Sequence, residues 1–230
     1  MKCGLPRNDI FFNHSEEFVA DIRKNLNVPP DNKIVMYAPT LRDNPAVLTD
    51  IYKLNAAKLT EVLEEKFGNK WTLLIRLHPN VAWVNFSNDI FGDAENIINV
   101  TSYPDIQELL VISDVLISDY SSVIYDFMIL HKPVFIFAKD FDSYPKERGF
   151  KQLYFDLPFK VNRTEDELLD CIKNFDAATL EPKIKRFFDM VKPFDNGHAS
   201  EEVVKKIDAV VSLQELNAVS RHAPTFTGRG

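Results

Sequence analysis

The chain has 230 residues, 45% hydrophobic and 27% charged, with 27 basic against 34 acidic side chains and a formal net charge of −7. This composition excludes collagen-like, coiled-coil and disordered chains, and the length suits one large domain or two small ones. The acidic balance argues against a nucleic-acid-binding domain, which normally carries a basic excess.

In chain order, a helix is predicted just after Asn13–Ser15. Short apolar runs at Ile34–Ala38, Trp71–Leu77, Ile97–Val100, Val115–Ile117 and Val134–Phe137 are continuous rather than alternating, as strands buried on both faces are. Helical patterns fall between and after them. Ala56, Leu59, Val62, Leu63 and Phe67 form one stripe, and Ile106, Leu109 and Leu110 another, opened by Asp105 with Glu108 at capping-box spacing. Ser122–Leu130 reads as a third helix, Thr164 with Glu167 opens a fourth, and Val203, Val204, Ile207, Val210 and Val211 mark a late one. Residues 140–162 form a long Pro- and aromatic-rich connection, and Val219–Gly230 read as a frayed tail. Strands alternating with helices predict an α/β fold, a Rossmann-like doubly wound parallel sheet.

Glycine is scarce. The seven stand at Gly4, Gly68, Gly92, Gly149, Gly197, Gly228 and Gly230, so no G-x-G-x-x-G or G-x-x-x-x-G-K-[ST] loop exists and any phosphate site must use another device. Cys3 and Cys171 offer neither zinc spacing nor a disulfide framework, which suits a reducing, cytoplasmic setting. No His, Cys or carboxylate grouping has metal-ligand spacing, and no signal peptide opens the chain. The Asn-x-Ser/Thr triplets at Asn13, Asn85, Asn99 and Asn162 read as chance matches.

Ligands of open α/β sheets bind beyond the carboxyl ends of the strands, and three segments stand there. Ala38-Pro39-Thr40-Leu41-Arg42-Asp43 offers a hydroxyl at Thr40 and a forked cation at Arg42, although a Pro turn with a solvated Arg–Asp pair explains it as well. Arg76-Leu77-His78-Pro79 places Arg76 and His78 on one side of a strand; His78 reads either as a phosphate donor or acid, or as a structural His bonded to a loop carbonyl. In Ser118-Asp119-Tyr120-Ser121-Ser122 a strand ends at Asp119 and a helix begins. Its free N–H groups and Ser hydroxyls could hold a phosphate, or Ser121 could simply cap the helix. Asp126, among apolar neighbours, needs a partner: a ribose hydroxyl pair or an ion pair.

Together these segments resemble the CDP-glycerol glycerophosphotransferase family of teichoic-acid and capsule polymerases. The matching stretches are Gly4–Asp9, Tyr37–Asp43, Arg76–Pro79, Ser118–Ser122 through Asp126-Phe127, Lys132-Pro133-Val134, Arg148-Gly149-Phe150 and Asp195–Ser200, covering about residues 4–212. The resemblance implies the C-terminal half of a GT-B architecture, with residues 1–218 as the nucleotide-donor-binding domain, 219–230 as a flexible tail, and the family's N-terminal acceptor domain absent. It implies transfer of glycerol phosphate from CDP-glycerol to a polyol-phosphate or polysaccharide acceptor, lipid-linked, with release of CMP. No cofactor beside the donor and no metal is expected. The implied setting is cytoplasmic, with peripheral contact at the inner face of the plasma membrane.

Roles follow by resemblance. Ser121 and Ser122 would hold the pyrophosphate, and His78 and Arg42 would stabilise charge as CMP departs, with Thr40 and Arg76 assisting and Asp119 in the donor site. Asp126 would face the ribose or polyol, and Tyr103, in loop Thr101–Pro104, would line the cytosine pocket. Two departures stand out: the family's His-Gly motif, proposed as catalytic base, has no counterpart here, and Lys151–Asn162 lacks the family's Pro-Gly-Pro-like turn. A GT-B glycosyltransferase or epimerase, or a nucleotide-binding half without turnover of its own, are the alternative readings.

Overall fold

The computed structural model describes residues 2–44, 47–78, 80, 88–91, 96–144 and 152–221. Pro79, Arg148-Gly149-Phe150 and the tail beyond 221 therefore lie outside the described residues. The chain divides into two compact units, residues 14–192 and residues 1–13 with 193–230.

The larger unit is built on a six-stranded sheet in the order β3-β2-β1-β4-β5-β6. The strands are β1 (Lys33–Ala38), β2 (Trp71–Ile75), β3 (Ile97–Asn99), β4 (Val115–Ser118), β5 (Val134–Phe137) and β6 (Val161–Asn162), all paired in parallel. The runs of β1, β2, β4 and β5 are continuously apolar because both faces are covered; β3, expected to be buried on both faces, is an edge strand whose Ile97 and Ile98 are half-buried and whose Asn99 is exposed. Val35, Tyr37, Leu73, Ile75, Val115, Ile117, Phe135 and Phe137 belong to one buried cluster, while the alternate residues Ile34, Met36, Leu74, Leu116 and Ile136 are fully buried on the other face. β6 escapes sequence reading because it is two residues long and carries no apolar run. It is tied to β5 through Asn162, whose buried amide donates to the Ile136 carbonyl at 3.0 Å. That burial leaves the Asn162 triplet inaccessible to sugar.

Each helix begins where its chemistry permits. In chain order, α1 is Ile10–Asn13 and α2 is Glu16–Asn25, capped by the Ser15 hydroxyl, which accepts from Phe18 N. α3 is Leu48–Tyr52, and α4 is Ala56–Phe67, capped by Asn55. α5 is Asn88–Phe91 and α6 is Ile106–Ile112. α7 is Val123–Met128, shorter than the predicted Ser122–Leu130, and α8 is Gln152–Phe155. α9 is Glu165–Lys173, whose cap Thr164 accepts from Glu167 N, and α10 is Leu180–Val191. Helices α4 and α9 contribute Leu59, Leu63, Leu168 and Ile172 to the large cluster, so they cover one face. Helices α6 and α7 pack on β1, β4 and β5. The Asp105–Glu108 box forms only half: Asp105 caps through Gln107 N, while Glu108 turns to the Tyr103 hydroxyl.

The order of strands makes the functional point. The chain adds β2 and β3 on one side of β1, then returns to place β4 on the other. The crevice between the carboxyl ends of β1 and β4 is therefore a topological switch point, where Ala38 lies opposite Ser118.

The smaller unit joins the two ends of the chain. Asp9 receives the N–H groups of Ala199 at 2.9 Å and Ser200 at 2.7 Å, and so caps α11 (Ala199–Arg221) from far away in sequence. Asp195 in turn accepts from Leu5 N at 3.0 Å and Asn8 Nδ2 at 3.1 Å. The first and last of the motifs thus bond to each other. The backbone of α11 continues through Arg221, three residues into the segment read as tail. Its stripe Val204, Ile207, Val210 and Val211 is exposed. No helix among the described residues is long and apolar enough to cross a membrane.

Gly197 holds φ at +84°, and a Cβ there would stand 2.7 Å from Phe12 Cβ. Gly197→Ala is expected to destabilise the smaller unit by about 1–3 kcal/mol. Faster amide exchange in the first turn of α11, with the β-sheet amides unchanged, is the readout.

Candidate functional site

At the switch point the strand-end segments are knotted around one cation. Arg42 follows β1 and is 4% exposed. Its Nη2 donates to Asp119 Oδ2 at 2.8 Å and to Asp140 Oδ1 at 3.0 Å, its Nε to Asp140 Oδ2 at 2.6 Å, and its Nη1 to the Thr40 carbonyl at 2.6 Å. The guanidinium also packs against the stacked rings of Tyr120 and Tyr144. Burial works against its charge, but the two carboxylates more than offset this and hold Arg42 protonated more firmly than in water. Burial also opposes the charge of Asp140. Its bonds with Arg42 and Tyr120 win, and its pKa lies below the usual carboxylate range.

Asp119 is the other anchor. It is 1% exposed and accepts from Thr40 N at 2.8 Å, Thr40 Oγ1 at 2.6 Å and Tyr120 N at 2.6 Å, besides Arg42. An ionised carboxylate only accepts, so the Thr40 proton is committed to Asp119. Arg42 and Asp119 therefore build the floor of the switch point rather than its ligand-facing wall. The Tyr52 hydroxyl, which burial pushes up to about 12, donates to the Thr40 carbonyl at 3.2 Å.

Above this floor lies a cavity of about 330 Å³ lined by Thr40, Arg76, His78, Ser121, Ile106 and neighbours. Four of the sequence-predicted residues thus meet there, brought together from the ends of β1, β2 and β4. Each of three offers a donor. Ser121 Oγ accepts from Val123 N at 3.3 Å, so its own proton is available. His78 is exposed, and its Nδ1 accepts from Asn80 N at 3.2 Å, which places the proton of the neutral ring on Nε2. Arg76 uses Nη1 to hold the carbonyls of Val100 at 2.6 Å, Thr101 at 3.0 Å, and Tyr103. Among the described residues no carboxylate bonds it. The backbone N–H groups of Ser121 and Ser122 precede the first turn of α7, where Ile124 N bonds to Ser121 O and Tyr125 N to Ser122 O.

The remaining expectations fall around this cavity rather than on it. Ser122 is exposed at the start of α7, and Tyr103 stands in the loop that Arg76 grips, its hydroxyl bonded to Glu108 and pushed up to about 12, first by burial and then by that carboxylate. Asp126 is buried on α7, with Gln107 Nε2 at 3.5 Å. Sequence reading missed Asp140, Tyr120 and Tyr144. The available signal was position: Asp140 follows β5 just as Arg42 follows β1 and Asp119 follows β4. No group of three or more His, Cys, Asp or Glu among the described residues could hold a metal ion.

Comparison with known proteins is consistent across sequence and structure. The model of the family described as CDP-Glycerol:Poly(glycerophosphate) glycerophosphotransferase matches residues 1–209. A teichoic acid poly(glycerol phosphate) polymerase of Staphylococcus epidermidis is 37% identical over 209 residues, 88% of this chain and 29% of that protein. A teichoic acid glycerol-phosphate transferase of Staphylococcus aureus is 33% identical over 213 residues, 90% of this chain and 54% of that protein. The structure of the wall teichoic acid polymerase TagF superposes with a TM-score of 0.73 at 34% identity, covering 93% of this chain and 52% of that one. A TagF variant has also been solved after soaking with CDPG. The chain therefore spans about half or less of the length of the proteins it matches.

Two outcomes test the floor. Arg42→Ala leaves the buried Asp119 and the half-buried Asp140 without their cation and is expected to cost about 3–5 kcal/mol in urea unfolding. Asp140, with its depressed folded-state pKa, contributes stability that is fully present above the ordinary carboxylate pKa and is lost as the pH falls through its lower folded value. Unfolding free energy should therefore decline below about pH 4, and Asp140→Asn should flatten that part of the decline.

Proposed function

Because the chain belongs to the CDP-glycerol:poly(glycerophosphate) glycerophosphotransferase family, we propose that its switch-point cavity binds a CDP-activated polyol donor, for transfer of glycerol phosphate to an acceptor hydroxyl. One observation carries this reading. Arg76, His78 and Ser121 line one cavity at the carboxyl ends of β1, β2 and β4, and each carries a hydrogen-bond donor of the kind that suits an anion.

Phosphoryl transfer asks the protein mainly for positioning and charge. In the proposed reaction an acceptor oxygen attacks the glycerol-linked phosphorus, the bond to the CMP oxygen breaks, and CMP leaves with the electron pair. The Ser121 hydroxyl and the N–H groups of Ser121 and Ser122 would hold the pyrophosphate, replacing a glycine loop. His78 Nε2–H would meet the charge that builds on the leaving CMP. Arg76 adds positive charge and fixes the Thr101–Tyr103 loop, proposed to border the cytosine. Asp126, beside Gln107, would serve the ribose or polyol side. Arg42 and Asp119 serve the donor by holding the Thr40 segment in place. The base that takes the acceptor proton belongs, by the resemblance, to the family's N-terminal half. The acceptor is proposed to be a lipid-linked polyol-phosphate or polysaccharide chain, met at the inner face of the plasma membrane.

Calorimetry with CDP-glycerol, CDP and a UDP-sugar tests the reading. Binding of both cytidine ligands in preference to the UDP-sugar is expected. His78→Ala and Ser121→Ala should each weaken CDP-glycerol binding about 5- to 30-fold, the loss of one or two hydrogen bonds to a charged group. A preference for the UDP-sugar, or no nucleotide binding by folded protein, would count against it.

A further inference from the structure

We infer that Asp140 is a positioning residue of the donor site: through Arg42 it sets the Thr40 side of the cavity. The inference rests on the proposed donor site, which it deepens.

The geometry is a relay across the ends of β5, β1 and β4. Asp140 takes two adjacent guanidinium nitrogens of Arg42, Nε at 2.6 Å and Nη2 at 3.0 Å. A carboxylate on that edge fixes the plane and rotation of the guanidinium. Its orientation then directs Nη1 to the Thr40 carbonyl at 2.6 Å and Nη2 to Asp119 at 2.8 Å. Asp119, so placed, receives both the N–H and the hydroxyl of Thr40. Thr40 is thereby held at its carbonyl, its amide and its side chain, and it lines the cavity. Tyr120 secures the far end of the relay, its hydroxyl donating to Asp140 Oδ1 at 2.9 Å, while its amide donates to Asp119 at 2.6 Å. A site held this way binds without having to organise itself first.

The alternative role for Arg42, a cation that meets phosphate directly, makes the opposite prediction. Asp140 would then be a competitor for the guanidinium, and neutralising it would free positive charge and tighten nucleotide binding. If Asp140 only stabilises the fold, its replacement lowers the melting temperature and leaves the affinity of folded protein unchanged. The sign of the effect separates the three roles.

The experiment compares wild type, Asp140→Asn and Tyr120→Phe by CDP-glycerol calorimetry and by amide hydrogen exchange at Thr40. Asp140→Asn is expected to bind about tenfold more weakly, with the Thr40 amide exchanging faster, and Tyr120→Phe about two- to threefold more weakly. Unchanged or tighter binding by folded Asp140→Asn overturns the inference. Should Asp140→Asn not fold, Tyr120→Phe decides, and wild-type values for both affinity and Thr40 exchange overturn it. If wild type itself does not bind CDP-glycerol, the donor-site reading falls separately, and Thr40 exchange still reports whether Asp140 holds that wall.

Discussion

The ends of three strands depend on one guanidinium. A parallel sheet leaves the carboxyl ends of its strands to be organised by whatever follows them, and here β1, β4 and β5 are followed by Arg42, Asp119 and Asp140. One cation between two carboxylates carries a net negative charge, so the cluster does not itself attract an anion. Its bonds are charge-assisted and nearly dry, which makes them strong and directional, and removal of Arg42 leaves two carboxylates without their cation. The rest of the site inherits its geometry from this cluster.

In the proposed donor site the anion-facing chemistry sits on other residues. With no glycine loop in the chain, close approach to a phosphate depends on small side chains where β4 turns into α7. Ser121 and Ser122 supply that turn. Arg76 orders a loop with one nitrogen, and among the described residues no carboxylate hydrogen-bonds it, although Asp105 is near enough to favour its charge. His78 needs only one backbone N–H to select the tautomer that donates outward. In that proposal the roles separate: buried ions give position, and lightly held donors give contact.

Much of this was legible in the sequence. Four of the strands, β1, β2, β4 and β5, were visible because burial on both faces demands unbroken apolar runs, whereas β3 showed its Ile pair although it is only half-buried at the sheet edge; Ser15 and Thr164 cap helices in the way their side chains allow. The switch-point segments were visible because Thr, Arg, His and Ser stand where apolar runs stop. The division of labour among them was not visible. Nothing in the spacing of Arg42 indicates that a carboxylate 98 positions later claims it. Thr40 reads as a phosphate donor until Asp119 is seen to take its proton. β6 is too short to carry a pattern, and the stripe on α11 shows that helical periodicity reports a helix without reporting what covers it.

The clasp between Asp9 and the start of α11 has a consequence for biosynthesis. Asp9 closes its bonds with residues about 190 positions later. On a ribosome adding about 5–20 residues per second, the first segment waits roughly 10–40 s for its partner. The parallel sheet, whose last strand ends at Asn162, emerges in that interval. The order of synthesis is thus written into connectivity: the strands and the charge cluster are made before the clasp, which cannot close until Ala199 and Ser200 have emerged.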